Sequence, residues 1–119
     1  MPEVEAETRE LIAAAYRGFN ARDIEATLER MADDVEWPRA WEGGYVQGHA
    51  AVRDYWSRQW AEVDPTVTPV GLAGLPDGRV DVTVHQVVRG LDGALLSDST
   101  VHHVYRLDNG QIAHMEIGE

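Results

Sequence analysis

The spacing of apolar residues changes once along this sequence, and the change falls at Pro65. Before Pro65, apolar side chains recur every three or four residues, the spacing that places them on one face of a helix. After it, apolar and polar residues alternate, as in a strand with one buried face. Helices followed by strands must pack on one face of an antiparallel sheet, so the sequence predicts an α+β fold.

The first two helices are separated by a short break. The first covers about residues 4–19 and is amphipathic, with its charged residues away from the apolar face. The second begins at Asp23, whose carboxylate can accept hydrogen bonds from the amides that follow it. Its apolar stripe extends to Met31, and we expect Asp33 and Asp34 to end it.

A segment rich in glycine and aromatic residues precedes the third helix. We expect a short strand over residues 35–37, and residues 38–48 have the composition of a loop. Helical spacing returns at His49 and ends at Pro65, which defines the third helix. Large apolar groups on a loop are typical of the edge of a binding site.

Four strands are expected after the helices, near residues 66–75, 79–89, 95–107 and 111–117. The turns between them contain residues that tolerate the positive φ angles of tight hairpins: Pro76-Asp77-Gly78, Leu91-Asp92-Gly93 and Asp108-Asn109-Gly110. The strands therefore form an antiparallel meander. Long strands twist, so we expect a cone-shaped α+β barrel, with three N-terminal helices packed on a curved antiparallel sheet.

The composition argues against several classes of partner. Ten Lys and Arg stand against 21 Asp and Glu, and a net charge of −11 repels nucleic acid and anionic membrane surfaces. Cysteine is absent, which excludes disulfides and thiolate metal sites and favours a cytoplasmic location. We expect no signal peptide, membrane span, nucleic-acid partner or membrane partner.

No metal or cofactor site is expected. The five histidines of the chain are His49, His85, His102, His103 and His114. The adjacent His102 and His103 point to opposite faces of a strand, and no two histidines have the spacing of a helical metal site. The sequence also lacks the motifs that bind nucleotides or carry a nucleophilic serine.

Three segments of the sequence carry a resemblance to a known family. They are residues 20–35 (NARDIEATLERMADDV), 48–56 (GHAAVRDYW) and 108–112 (DNGQI). In this order they resemble the nuclear transport factor 2-like superfamily, and most closely its SnoaL-like branch. The resemblance covers residues 1–119 as one SnoaL-like domain. It implies a cone-shaped pocket between the helices and the concave face of the sheet, and a homodimer that pairs through the convex face.

The ketosteroid isomerases of this superfamily offer a comparison at single positions. The resemblance implies that His103 stands where those enzymes keep a protonated aspartate that stabilises an oxyanion. Their phenolic donor aligns with Ala15, one residue before Tyr16. Their general-base aspartate falls near Pro38-Arg39, where this sequence has no carboxylate, so the resemblance does not imply the complete isomerase mechanism.

The strand pattern also makes His103 the candidate catalytic residue. It lies between Val101 and Tyr105 on one strand face, which the pleat turns toward the pocket. A neutral imidazole offers one donor and one acceptor, and its ordinary pKa of about 6.5 suits acid–base chemistry near neutral pH. The alternative is a structural histidine that bonds to a helix residue.

The register of the last hairpin decides whether His103 faces a carboxylate. A plain two-residue hairpin at Asn109-Gly110 would place Glu116 opposite His103 on the pocket face. A bulge near residues 113–114 would instead turn Met115 and Ile117 inward and Glu116 outward. We favour the bulge, because it buries two apolar side chains where the plain register would bury a carboxylate.

Nine further residues are candidates for contact with a ligand: Tyr16, Trp37, Trp41, Tyr45, Trp56, Trp60, Gln86, Tyr105 and Met115. Trp56 and Trp60 share one face of the third helix and are expected to serve packing first. Trp41 and Tyr45 lie on the loop, where they would line a mouth. Gln86 interrupts an apolar face, so its amide must bond to a ligand or to neighbouring polar atoms.

These features favour a protein that binds an apolar, ring-containing small molecule. His103 would then support acid–base chemistry of the isomerase, cyclase or dehydratase type. Two alternatives stay open. One is a binder that releases its ligand unaltered, and the other is a dimerisation module whose cone is filled by Trp56, Trp60 and Met115. The volume of the cavity separates the dimerisation module from the other two.

Overall fold

The computed structural model describes residues 4–39 and 43–118. Within those ranges the elements are α1 Ala6–Asn20, α2 Ile24–Leu28, β1 Met31–Pro38, β2 Tyr45–Gln47, α3 His49–Glu62, β3 Val63–Gly74, β4 Val80–Gly90, β5 Leu95–Asp108 and β6 Gln111–Gly118. Three helices pack on a curved sheet, as the change of periodicity predicts. The α+β class and the order of helices before the long strands are confirmed.

The sheet has six strands in the order β2-β1-β6-β5-β4-β3. The four long strands β3 to β6 form the predicted antiparallel meander. Each of its three turns contains a glycine with a positive φ angle: Gly78 at 91°, Gly93 at 87° and Gly110 at 75°. Residues that have a side chain rarely adopt these angles. The N-terminal strand β1 adds to the far side of β6 in parallel orientation.

The second helix is shorter than predicted. It ends at Leu28, and β1 begins at Met31, so Asp33 and Asp34 lie inside the strand rather than at a helix end. The physical reason is pairing with β6, where Met31 lies beside Ile112. An apolar residue at position 31 fits either a helical stripe or the buried face of a strand, and the strand is the form in which it pairs with β6.

Two further boundaries differ from the prediction. The expected loop contains the strand β2, whose three residues pair with the end of β1. The strand β3 follows α3 directly and starts at Val63, so Pro65 lies within a strand and does not mark the end of the helix. Proline is tolerated there because β3 is at the edge of the sheet, where one row of backbone groups has no strand to pair with.

The core lies between the helices and the concave face of the sheet. Ile12 and Tyr16 of α1 and Trp56 of α3 are among the buried residues that pack against Val82 and Val84 of β4. The sheet curls far enough for its edge strand β3 to reach the end of α1. The helices thus cover the concave face of the sheet.

A side-chain amide fastens α1 to the edge of the sheet. Asn20 donates to the carbonyl of Val67 at 2.7 Å and accepts from the Val67 amide at 3.0 Å. Next to it, Arg22 donates to the carbonyl of Pro65 at 2.8 Å and pairs with Asp64. These bonds hold the end of α1 against the part of β3 that borders the cavity.

Candidate functional site

A β-bulge in the last hairpin sets the direction of the site residues. Leu107 pairs with Ile112 and Arg106 pairs with His114, which leaves Ala113 as the extra residue in β6. This is the bulge that the apolar pattern favours. After it, Ile117 lies opposite His103 on the inward face.

Glu116 consequently lies on the outer face of the sheet. It pairs with Val104 in the ladder, its carboxylate lies 3.2 Å from His114 Nε2, and its side chain is exposed. The alternative in which Glu116 faces His103 as a base is therefore wrong. Met115 is buried and takes the inward place opposite Tyr105.

His103 is the end of a buried hydrogen-bond chain. Tyr105 Oη lies 2.8 Å from Tyr16 Oη, which lies 2.7 Å from His103 Nδ1. The helix α1 contributes Tyr16, and β5 contributes the other two residues from one strand face. The Tyr16 and His103 rings are stacked, with centroids 5.9 Å apart. Both His103 and Tyr16 are thereby fixed in orientation.

The direction of the bonds follows from the innermost hydroxyl. Among the residues that the structure describes, Tyr16 is the only hydrogen-bond partner of the Tyr105 hydroxyl, so Tyr105 must donate to it. Tyr16 has one proton and donates it to His103 Nδ1. The imidazole proton is then on Nε2. His103 presents an N–H donor, not a lone pair, to the cavity that its ring lines.

Burial keeps the three groups uncharged. Burial, with a smaller contribution from neighbouring His102, lowers the pKa of His103 from 6.5 to about 4. Burial also raises the pKa of Tyr16 and that of Tyr105 well above their ordinary range. At neutral pH the hydrogen-bond chain consists of two phenols and a neutral imidazole. It can therefore donate a hydrogen bond to a ligand but is a weak base.

The ring of His103 lines an inner cavity of about 50 Å³. The other lining side chains are aromatic, aliphatic or amide groups: Phe19, Trp37, Pro38, Tyr55, Trp56, Gln59, Pro65, Val67, Gln86, Val88, Met115 and Ile117. No carboxylate is among the described residues of this wall. The volume exceeds the roughly 15 Å³ that a water needs, yet it is far below the roughly 300 Å³ of a drug-sized pocket.

A larger cavity, the mouth, adjoins the inner cavity. It has a volume of about 670 Å³ and shares Tyr55, Gln59 and Val88 with the inner wall. Charged residues also border it, among them Arg39 and Glu62. The site therefore has a wide mouth and a narrow inner part, and His103 lines only the inner part.

A second outer cavity lies along β5 and β6. Its volume is also about 670 Å³, and it is lined by Tyr45, Gln86 and Ser99 among others. Gln86 borders both this cavity and the inner one, and its side chain has no hydrogen-bond partner in residues 4–39 and 43–118. The amide is thus available to a ligand, as its interruption of the apolar strand face suggests.

The predicted site residues fall into three groups. Those that line the inner cavity are Trp37, Trp56, Gln86, His103 and Met115. Tyr16 and Tyr105 stand behind His103 and act on it through hydrogen bonds. Tyr45 lines the second outer cavity with 47% of its surface exposed, and Trp60 packs beside Trp56 and Phe19. Trp41 lies outside the described residues.

Tyr55, Gln59 and Arg39 line the site but are missing from the sequence prediction. Tyr55 and Gln59 lie one turn apart on α3, on the same stripe as Trp56, and helical spacing alone marks them as packing residues. Arg39 follows β1 at the edge of a loop. The only sequence signal that Arg39 lines the mouth is its position directly after a strand that enters the core.

In the described part of the chain, no three His, Asp or Glu side chains are close enough to hold a metal ion together. None of the described helices is both long enough and apolar enough to cross a membrane.

Comparison with known proteins adds to this geometry. The sequence pattern of the SnoaL-like domain matches residues 12–115. No curated protein matches the chain. Among solved structures, TerC co-crystallised with polyporic acid is 28% identical, with a TM-score of 0.82 over 94% of this chain and 90% of TerC.

Two further solved structures show the same fold. RV0760c from Mycobacterium tuberculosis, in complex with estradiol-17beta-hemisuccinate, is 20% identical, with a TM-score of 0.80 over 95% of this chain and 93% of that protein. A computationally designed 17-OHP binder is 20% identical, with a TM-score of 0.79 over 98% of this chain and 92% of its own. The family pattern spans most of the chain, and this protein belongs to the SnoaL-like domain family.

Proposed function

We propose that this protein binds a small ring-containing molecule and that a carbonyl or hydroxyl oxygen of that molecule accepts a hydrogen bond from His103. The observation that carries the proposal is the Nε2–H of His103. It belongs to a ring that lines the inner cavity, and Nε2 has no hydrogen-bond partner in the described part of the chain. A largely buried donor of this kind is expected to be satisfied by a ligand or by water.

The two cavity volumes define how such a ligand would sit. The inner cavity of about 50 Å³ has room for an oxygen-bearing group but not for a ring. The mouth of about 670 Å³ has the size of a typical small-molecule site. The ring would lie in the mouth against Tyr55 and Val88, with one oxygen pointing inward, and Gln59 and Gln86 could bind further oxygens.

Solved relatives support this class of ligand. TerC was crystallised with polyporic acid and RV0760c with estradiol-17beta-hemisuccinate, which are both small organic molecules. The open mouth also argues against the hypothesis of a cone filled entirely by aromatic side chains. The aromatic residues fill most of the inner cavity and leave the mouth open.

Binding without turnover is our first candidate and acid–base catalysis is the second. A catalyst that moves protons needs a base, and His103 Nε2 carries a proton while Nδ1 is occupied by Tyr16. Asp54 and Glu62 line the mouth and Glu116 lines the second outer cavity, but no carboxylate is among the described residues of the inner wall. What favours catalysis is the neutral N–H donor itself, because it could stabilise negative charge on a ligand oxygen.

Polyporic acid is the first ligand to test. We expect saturable binding to the wild-type protein and about five- to tenfold weaker binding to His103→Leu, which lacks the donor. Titration of the protein with the compound, followed by calorimetry, measures both. His102→Leu is the matched control, because it removes the neighbouring histidine on the outer face of the same strand.

The outcomes separate the candidates. Equal affinity of the wild-type and His103→Leu proteins would contradict the role of His103, provided that the circular dichroism of the variant shows a folded chain. Mass spectrometry of the recovered compound then distinguishes the two functions. Recovery of unaltered polyporic acid favours a binder, and conversion that is lost in His103→Leu favours a catalyst.

We also propose that two copies pair through the convex face of the sheet. All three described helices pack on the other face, so outward residues such as Val87 and Val104 are covered only in part. Sedimentation at micromolar concentration should give twice the chain mass of 13.2 kDa, and Val104→Arg should give the monomer. A monomeric wild-type protein would contradict the dimer.

A further inference from the structure

Arg39 lies where the cavities of the site meet. Its side chain lines the mouth and also the second outer cavity. The residue before it, Pro38, belongs to the wall of the inner cavity. A molecule that occupies the mouth and points an oxygen toward His103 would therefore have Arg39 beside its outer end.

The hairpin between β1 and β2 helps to place the guanidinium. The amide of Arg39 donates to the carbonyl of Gly44 at 2.9 Å. A Cβ atom at position 44 would lie 3.0 Å from Arg39 Nη2, so the side chain of Arg39 folds over the glycine. Gly44 also has a φ angle of 74°, which favours glycine there. The guanidinium is thus held next to the hairpin at the rim of both cavities.

Most other charged groups at the rim have a partner. Arg58 pairs with Asp54 at 3.2 Å, and Glu116 lies 3.2 Å from His114. Arg39 forms no ion pair with any described residue. Glu62 likewise has no ion pair there, but it borders the mouth from the end of α3 rather than from the hairpin.

We propose that the ligand is an anion, a ring compound whose carboxylate or acidic hydroxyl pairs with Arg39 while an oxygen at its inner end accepts from His103. This inference rests on the proposed binding function. A guanidinium matches the two oxygens of a carboxylate with two parallel donors. The chain has a net charge of −11, so it repels anions in general, and a single unpaired cation at the mouth would select those that also fit the cavity.

A pair of compounds that differ only in charge tests the inference. Anthraquinone-2-carboxylate has a ring carbonyl for His103 and a carboxylate for Arg39, and anthraquinone-2-carboxamide is its uncharged counterpart. We expect the wild-type protein to bind the carboxylate about tenfold more tightly at low salt, the effect of one charge-assisted pair. Raising the salt concentration should reduce this preference, because Arg39 is exposed.

Arg39→Met should abolish the preference, so that this variant binds the carboxylate and the amide with equal affinity. Arg58→Met is the matched control: it removes the same charge from the same mouth, but from a group already paired with Asp54. It should keep the preference for the carboxylate. Dissociation constants of both compounds with the three proteins, measured by calorimetry, give the comparison.

Failure of the Arg39 inference and failure of the proposed binding function would give different results. If the wild-type protein binds both compounds equally, or if Arg39→Met keeps the preference, the Arg39 inference is wrong and the binding function stands, because the amide still binds. If neither compound binds to the wild-type protein, the proposed site for ring ketones fails and the inference fails with it.

Discussion

Replacement of Trp56 by alanine is expected to lower the free energy of unfolding by about 3–5 kcal/mol. Trp56 is 1% exposed, and its ring lies 5.4 Å from those of Trp37 and Phe19 and 5.9 Å from that of Trp60. It joins α1, α3 and β1 in one aromatic cluster. Its removal would leave a void that these rings, each fixed by its own backbone, can fill only in part.

Urea unfolding followed by circular dichroism measures this loss independently of tryptophan fluorescence. Trp60→Ala is the matched control, since Trp60 is only partly buried and its Nε1 has no hydrogen-bond partner among the described residues. Trp60→Ala should lower the free energy of unfolding clearly less than Trp56→Ala, because an unsatisfied buried donor is removed together with the ring. Equal losses in the two variants would show that Trp56 is not the centre of the cluster.

Local patterns predict much of this fold. The turns that end in Gly78, Gly93 and Gly110 and the two-residue alternation between them are properties of neighbouring residues, and the meander follows from them. The parallel pairing of β1 with β6 has no such signal. Met31 meets Ile112 only after the whole chain has folded, so helical and strand interpretations of residues 31–34 were equally consistent with the local sequence.

The candidate site is likewise only partly predictable from the local sequence. Strand alternation predicts that His103 faces inward, and the apolar residues of β6 predict the bulge that turns Glu116 outward. The bond from Tyr16 to His103 depends on how α1 is rotated over the sheet, which periodicity fixes only to one face. The mouth is harder still to predict, because Arg39 and Gln59 come from distant elements and are brought together by the curl of the sheet.

The free energy of unfolding is also expected to depend strongly on pH. The pKa of His103 is about 4 in the folded protein and near its ordinary 6.5 when unfolded, so between these values the unfolded chain binds more protons. Stability contributed by the neutral imidazole is complete above pH 6.5 and is lost as the pH falls toward 4. With 1.36 kcal/mol for each pKa unit, the loss is roughly 3 kcal/mol.

The comparison of the wild-type protein with His103→Phe isolates this contribution. Phenylalanine keeps an aromatic ring beside Tyr16 but does not titrate. The outer-face pairs, such as His85 with Asp98 and His102 with Asp81, are present in both proteins, so the difference between the two proteins reports on His103. Urea unfolding at pH 7, 6, 5 and 4 should show a steeper loss for the wild-type protein.

The hydrogen-bond chain supplies the reason why protonation is so unfavourable. A charged imidazole carries protons on both nitrogens, so Nδ1 could no longer accept from Tyr16. Tyr16 would have to turn away from a buried position in which Tyr105 donates to it. Parallel pH dependence of the two proteins would mean that His103 is not held neutral by its surroundings. The donor at the end of the cavity, on which the binding proposal depends, would then lose its assigned proton position.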